Sequence, residues 1–226
     1  MKYKGKHTKE ISFPLGGIGS GSIGLDGSGR LVDWEIFNRP SKGSKNGYTH
    51  FAVKAISDDG IITRVLTGDT CESYMGQYRN SNTHTAYGFG PDKASLCGFP
   101  HFEDVEFNGE FPIASLDFKE GNFPADIKMT AFNPFIPCDE DNSSIPGAFF
   151  EIEIKNTTDK KIKYQVAFSV TNPYTISKNE AIHKDGINGV ILKNANAEKN
   201  SVEYGDLTVA TDCKKSYVQT YWYRGS

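Results

Sequence analysis

Phe150-Glu151-Ile152-Glu153-Ile154-Lys155 is followed by a polar break, Asn156-Thr157-Thr158-Asp159-Lys160, and then by Ile162-Lys163-Tyr164-Gln165-Val166-Ala167-Phe168-Ser169-Val170. Apolar and polar residues alternate on both sides of the break. Successive side chains of a strand point to opposite faces, so this pattern buries one face and wets the other. The polar break predicts that the two strands form a hairpin with a longish loop.

The same theme recurs outward from this stretch. Gly27-Ser28-Gly29 can turn the chain between runs at 22–25 and 31–37, and Asp58-Asp59-Gly60 separates 51–56 from 61–66. Asn108-Gly109 lies between 105–107 and 111–113, and it supplies the positive φ that a two-residue hairpin demands. Strand-like runs at 127–132, 190–192, 202–204, 207–210 and 217–223 complete the set. Strands at this spacing without a helical period predict an all-β fold, a large antiparallel β-sandwich of supersandwich type. Sandwiches reach this length as single units, so residues 1–226 are expected to form one domain. No internal repeat suggests a propeller. The 68–100 stretch is polar and aromatic, with Tyr74, Tyr78, Tyr87 and Phe89, and reads as a long loop with room for a short helix.

Composition narrows the function classes. The chain has 226 residues, ample for a buried core, and its aromatic share of 12% suits strands. A net charge of −3 without a basic block gives nucleic acid no electrostatic footprint. No apolar run approaches the length of a transmembrane segment, and residues 1–6 are basic without the apolar stretch of a signal peptide, so a cytoplasmic location is expected. Cys71, Cys97, Cys138 and Cys213 are scattered and read as reduced thiols. His7, His50, His84, His101 and His183 show no metal spacing, so neither metal nor other cofactor is expected. The triplets Asn142-Ser143-Ser144 and Asn156-Thr157-Thr158 match the glycosylation pattern by chance.

Several motifs carry less chemistry than they suggest. Gly19-Ser20-Gly21-Ser22-Ile23-Gly24 fits the dinucleotide-binding glycine pattern, but a strand-like run follows it where that motif requires a helix. The glycines are better read as letting the backbone bend or approach a neighbouring surface. Asp139-Glu140-Asp141 reads as a solvated loop, and Glu151 and Glu153 lie on a wet strand face. Glycosidic chemistry needs two carboxyls about 5–10 Å apart with one kept protonated, and sequence neighbours on a wet face offer no such asymmetry. No catalytic residue is assigned. Trp34 and Trp222 could stack on a sugar ring, although a strand tryptophan is more often core.

Phe13-Pro14-Leu15-Gly16-Gly17-Ile18-Gly19-Ser20-Gly21-Ser22-Ile23-Gly24 resembles the N-terminal signature of glycoside hydrolase family 116, the family of non-lysosomal glucosylceramidases and bacterial β-glucosidases. Asp33-Trp34-Glu35-Ile36-Phe37-Asn38, residues 99–107, 129–137 continuing into 144–150, and 205–210 are similar to later family segments in the same order. The resemblance implies a non-catalytic N-terminal domain of a retaining two-domain glycosidase. In that family a helical toroid supplies the nucleophilic Glu and the acid/base Asp, and no position here matches those motifs. It implies a helical catalytic domain as partner, in cis or as a separate chain, which would bring a β-glucoside or glucosylceramide-like substrate. Because the chain stops at 226, it is expected to be inactive alone. Gly16, Gly17, Gly19, Gly21, Trp34, Asn38, Arg39, Tyr87 and His101 are the domain-interface or sugar-proximal candidates. A stand-alone carbohydrate-binding module, with Trp34, Tyr74, Tyr78 or Tyr87 as platform, and a purely structural interaction domain are the alternatives.

Overall fold

A computed structural model describes residues 1–69, 96, 98–201 and 204–222. In chain order its strands are β1 (Lys2–Lys4), β2 (Ser12–Leu15), β3 (Ser22–Asp26), β4 (Leu31–Glu35), β5 (His50–Ser57), β6 (Gly60–Val65) and β7 (Asp104–Glu110). They continue as β8 (Ile113–Lys119), β9 (Ala125–Phe132), β10 (Phe149–Asn156), β11 (Lys163–Ser169), β12 (Ser177–Lys184), β13 (Ile187–Asn194) and β14 (Asp206–Thr211). A 3-10 turn at Gly5–Thr8 and a single helical turn, α1 (Glu140–Ser143), are the helical elements among the described residues. The fold is all-β and antiparallel, as the alternation predicts.

The chain divides into two compact units, Met1–Val170 and Thr171–Ser226. In the first, a five-stranded sheet of order β1-β7-β8-β9-β10 packs against two three-stranded sheets, β2-β3-β4 and β11-β5-β6. Period-2 patterning makes the core: Leu116 and Phe118 of β8 and Ile127 and Met129 of β9 are buried, while Asp117 and Lys128 face the other way. Aromatic rings join the layers. Phe13 of β2 meets Phe107 of β7 at 6.4 Å, and Phe51 of β5 meets Phe150 of β10 at 5.1 Å between centroids. Phe102, fully buried, sits against Phe118 and Phe123. Burying a phenylalanine of this kind contributes roughly 1.5–3 kcal/mol. Arg64 of β6 forks onto Glu120 after β8, with N···O distances of 2.7 and 2.8 Å, and stitches the layers at the rim.

The second unit is a three-stranded sheet, β12-β13-β14, with Leu192 buried at its centre. Asp185 and Gly186, both at positive φ, make the tight turn between β12 and β13.

Three expectations need correction. The stretch at 150–170 is not a hairpin: β10 pairs with β9 and β11 with β5, so the polar break carries the chain from one layer to the other. Alternation specifies which face is buried, but the partner strand is set by tertiary packing. Phe51 shows the result, touching Phe150 across the core and stacking on Phe168 beside it at 4.2 Å. Asn108-Gly109 likewise makes no turn. Both residues lie inside β7, opposite Ser115 and Ala114, and the chain reverses at Phe111-Pro112, whose peptide bond is cis. Gly109 lacks a side chain because the Phe107 ring occupies that space. Finally, 217–222 joins no ladder. Asn179 and Asn188 instead donate their side-chain N–H groups to Thr220 O and Ser216 Oγ, holding an extended segment where a strand was expected.

The turns at 27–29 and 58–60 are where the glycines put them, joining β3 to β4 and β5 to β6. The short helix allowed for in the 68–100 loop and the strand-like pair Val202 and Glu203 lie outside the described residues. No helix among those described is long and apolar enough to cross a membrane.

Candidate functional site

The glycine-rich segment forms the loop between β2 and β3, and its path is fixed from three sides. Gly16 N–H donates to Asn133 Oδ1 at 2.6 Å, while Asn133 Nδ2 donates to Pro14 O at 2.8 Å. Asn133 is buried, so its amide replaces the ladder partner that β2 lacks at its end. Ile18 N–H donates to Ser143 O at 2.9 Å, the last residue of α1. Gly17 lies so close to Ser144 and Ile145 that a side chain on it would run into their carbonyl oxygens. Gly19 stands at the exposed tip with φ of 72° and open space around it.

The α1 turn that receives this loop is itself well made. Asp139 caps it by accepting from Asn142 N–H at 3.1 Å. Ser143 Oγ donates to Ile136 O at 2.9 Å and accepts from Ile136 N–H at 3.0 Å. The acidic run expected to be a solvated loop is thus a solvated helical turn, because Asp139 supplies the missing acceptor at its start. The Asn142 side-chain amide also donates to Asp139 Oδ2 at 2.6 Å.

A second clamp closes beside the first. Gly21, at φ of 95°, sits where a side chain would come 3.0 Å from Glu35 O, so the glycine loop abuts the end of β4. Beyond β4 the chain makes the loop that carries Asn38 and Arg39, and residues 41–44 return to the strand. Asp33 accepts from Gly43 N–H and Ser12 Oγ–H, each at 2.6 Å. Asp33 N–H donates to Ser44 O and Trp34 N–H to Ser44 Oγ, both at 2.9 Å. Glu35 accepts from Ser41 N–H at 3.1 Å. Lys42 bridges the two carboxylates, 3.6 Å from Asp33 and 3.0 Å from Glu35.

This carboxylate pair can be tested for acid–base chemistry. Burial acts to raise the Asp33 pKa, but hydrogen bonds from Ser12 and Gly43 and the Lys42 ammonium outweigh it and hold the group below its ordinary value. Hydrogen bonds from Lys42 and the Ser41 backbone likewise depress Glu35. Both groups therefore stay ionised, and neither is the protonated partner that a glycosidic general acid requires. The cluster pins a loop.

The remaining sequence candidates fall as follows. Trp34 is buried and donates from Nε1 to Leu31 O at 3.2 Å. Asn38, at φ of 51°, and Arg39, whose guanidinium lies 5.9 Å from the Phe37 ring centroid, are exposed on the projecting loop. His101 interacts through Nδ1 with Phe99 O at 2.9 Å and faces Asp69 at 3.7 Å. Tyr87, with Tyr74 and Tyr78, lies outside the described residues. Of the four glycines, Gly21 abuts Glu35 and Ile36 where β4 leads into the loop carrying Asn38 and Arg39, Gly16 packs on Gly21 and Ser22, Gly17 abuts Ser144 and Ile145, and Gly19 stands open.

The sequence reading missed Asn133, Ser143, Asp33 and Lys42. Asn133 had a signal, since an Asn before Pro134 marks a local turn. Asp33 carried none, because its role depends on a left-handed φ of 50° inside a strand.

Among known families, residues 12–224 match the one described as beta-glucosidase 2, glycosyl-hydrolase family 116 N-term. The match takes in both clamps and both compact units.

Proposed function

The chain belongs to the N-terminal domain family of glycoside hydrolase family 116, and from that premise we propose that it is the non-catalytic supporting domain of a retaining β-glucosidase or glucosylceramidase-like enzyme. Its partner is a helical catalytic domain, and its task is to brace that domain and shape the rim of its sugar site. The observation that carries this reading is an apolar end of the first unit. Ile18, Phe111, Ile113, Ile136, Ile145 and Phe149 there are 46–57% exposed. They are linked through the glycine clamp, the α1 turn and the rings of Phe132 and Phe135, which contact Phe149 and Phe111 at 5.2 and 5.3 Å. Apolar residues gathered in this way mark surfaces that another protein surface covers.

Gly16, Gly17, Gly19 and Gly21 belong to this end as close-approach positions. Asn38 and Arg39 are the residues on the neighbouring loop best able to reach a sugar site shared with the partner. A reducing compartment such as the cytoplasm suits the exposed thiols of Cys138 and Cys213.

The experiment is complementation. The chain alone should leave an aryl β-glucoside intact, and a family 116 catalytic domain lacking its own N-terminal part should gain turnover when the chain is added. The pair Ile18→Asp and Ile145→Asp should remove that gain without altering the circular dichroism of the chain. Turnover by the chain alone would overturn the proposal.

A carbohydrate-binding module is the second reading. Tyr217, Tyr221 and Trp222 favour it, since they are 89%, 63% and 65% exposed in the second unit. Calorimetry against glucosides and oligosaccharides separates the two, because the supporting domain predicts no heat.

A further inference from the structure

Asparagine followed by glycine is a chemically labile pair that reacts without any enzyme. The glycine nitrogen can attack the asparagine side-chain carbonyl carbon, because no Cβ stands in its approach. The sequence holds three such pairs, Asn46-Gly47, Asn108-Gly109 and Asn188-Gly189. Ring closure needs the main chain to rotate at the asparagine until the next nitrogen meets that carbon, and a strand held in a ladder opposes the rotation. Asn108 and Gly109 stand inside β7, opposite Ser115 and Ala114. Asn188 and Gly189 lie in β13, the central strand of its sheet, between their partners on β12 and β14. The Asn188 amide is also held at both ends, with Oδ1 facing His183 Nδ1 and Nδ2 donating to Ser216 Oγ, each at 2.7 Å.

Asn46-Gly47 is placed otherwise. Asn46 opens a tight turn whose hydrogen bond runs from Thr49 N–H to Asn46 O at 3.2 Å, and Thr49 Oγ donates to the same oxygen at 2.5 Å. The turn is thus closed through the Asn46 carbonyl, and the Gly47 nitrogen takes no part in it. Gly47 is exposed, with φ of 54°, and Tyr48 beside it is 44% exposed. Water, which must take the Gly47 proton and later open the ring, reaches the turn. The pair also sits at a joint of the fold. Lys45 makes the bridge to Val32, Ser44 O accepts Asp33 N–H, and β5 starts at His50.

From the turn at 46–49 and the two strand-held pairs, we infer that Asn46 is a site of spontaneous deamidation and isoaspartate formation, which slackens the loop clamped by Asp33. The Gly47 nitrogen loses its proton to water or hydroxide and bonds to Asn46 Cγ. The bond from Cγ to Nδ2 breaks and ammonia leaves, so a succinimide ring remains. Water then adds at one of the two ring carbonyls and breaks its bond to the Gly47 nitrogen. One opening gives aspartate, and the other gives isoaspartate, whose main chain runs through the former side chain. No electrons are exchanged with a second reactant, and one negative charge is gained. Isoaspartate lengthens the main chain by a methylene between Lys45 and Gly47 and moves the carbonyl that Thr49 N–H uses. That change loosens the hold of residues 44 and 45 on β4. The inference does not depend on the enzyme reading.

The test is ageing of the intact folded chain in mildly alkaline buffer, followed by peptide mapping with mass spectrometry that resolves aspartate from isoaspartate. Conversion at Asn46 should run at least about tenfold faster than at Asn108 or Asn188, because the strands must open before those pairs react. In guanidinium chloride the three rates should converge, since the same dipeptide is then free of the fold. Amide exchange at Gly43 and Ser44 should be faster in the isolated isoaspartate form than in Asn46→Asp, which carries the new charge without the added methylene. Folded-state conversion at Asn108 or Asn188 as fast as at Asn46, or an unreacted Asn46 in the folded chain while the unfolded chain converts, would overturn the site. Equal exchange in the isoaspartate form and Asn46→Asp would overturn the slackening of the loop.

Discussion

The side-chain oxygen of Asn133 accepts the Gly16 N–H at 2.6 Å across 117 positions of chain, and its amide nitrogen returns a hydrogen bond to Pro14 O. One buried amide thus satisfies both main-chain groups at the point where β2 leaves its sheet. Asn133→Ala should strand both, at a cost of about 1–3 kcal/mol. Asn133→Asp keeps the acceptor but sets a carboxylate against the Pro14 carbonyl, so it should be little better. Urea unfolding checks the magnitude, and faster amide exchange at Gly16 checks the site.

Gly17 and Gly19 should respond differently to alanine. At Gly17 the new methyl group meets the carbonyls of Ser144 and Ile145, so the helical turn must move; overpacking of this kind costs about 1–3 kcal/mol. At Gly19 there is open space, and only the left-handed φ of 72° opposes a side chain, at about 1–2 kcal/mol. Amide chemical shifts of Ser143, Ser144 and Ile145 should change in Gly17→Ala and stay in place in Gly19→Ala. Equal responses would remove the close-approach role of Gly17.

These two clamps mark how far the sequence could be read. Period-2 alternation identified β10 and β11 and their apolar faces, and strand-like runs between turn signals located β5, β6, β9 and β14. Alternation could not say that β10 and β11 lie in different sheets, because both arrangements bury the same side chains. Asn108-Gly109 misled for a related reason. The dipeptide is permissive of a turn, while Phe111-Pro112 two residues later makes the turn that the β7–β8 register requires. At the site, glycines announced close approach without naming what is approached. Asn133 and Ser143 are distant in sequence, and only the fold brings them to the loop.

Asp33 should prove to be a loop anchor. Its carboxylate holds Gly43 N–H and Ser12 Oγ–H in a buried position, so Asp33→Ala should cost about 2 kcal/mol, as expected for hydrogen bonds to a charged acceptor. Asp33→Asn tolerates the left-handed backbone and keeps an acceptor, so it should cost less. Amide exchange at Gly43 and Ser44 should accelerate in the alanine variant while exchange in β8 and β9 is unaffected. Uniform acceleration across those strands would mean that Asp33 supports the whole fold rather than the loop.

In the second unit, pH should act through Glu180. Hydrogen bonds from Lys178 and Lys193, at 2.7 and 2.6 Å, lower its pKa from 4.5 to about 2. A depressed folded-state pKa contributes stability that is complete above the unfolded value and is lost as pH falls through the folded one. The β12–β13 pairing should therefore hold steady above pH 4.5, weaken between 4.5 and about 2, and gain nothing from this carboxylate below that. Because solvent reaches all three groups, added salt should shrink the shift. Carbon-detected NMR titration of the Glu180 carboxyl reads its midpoint directly, and Glu180→Gln should flatten the acid response of amide exchange across β12 and β13. A Glu180 midpoint at the ordinary glutamate value would show that neither lysine holds it in solution.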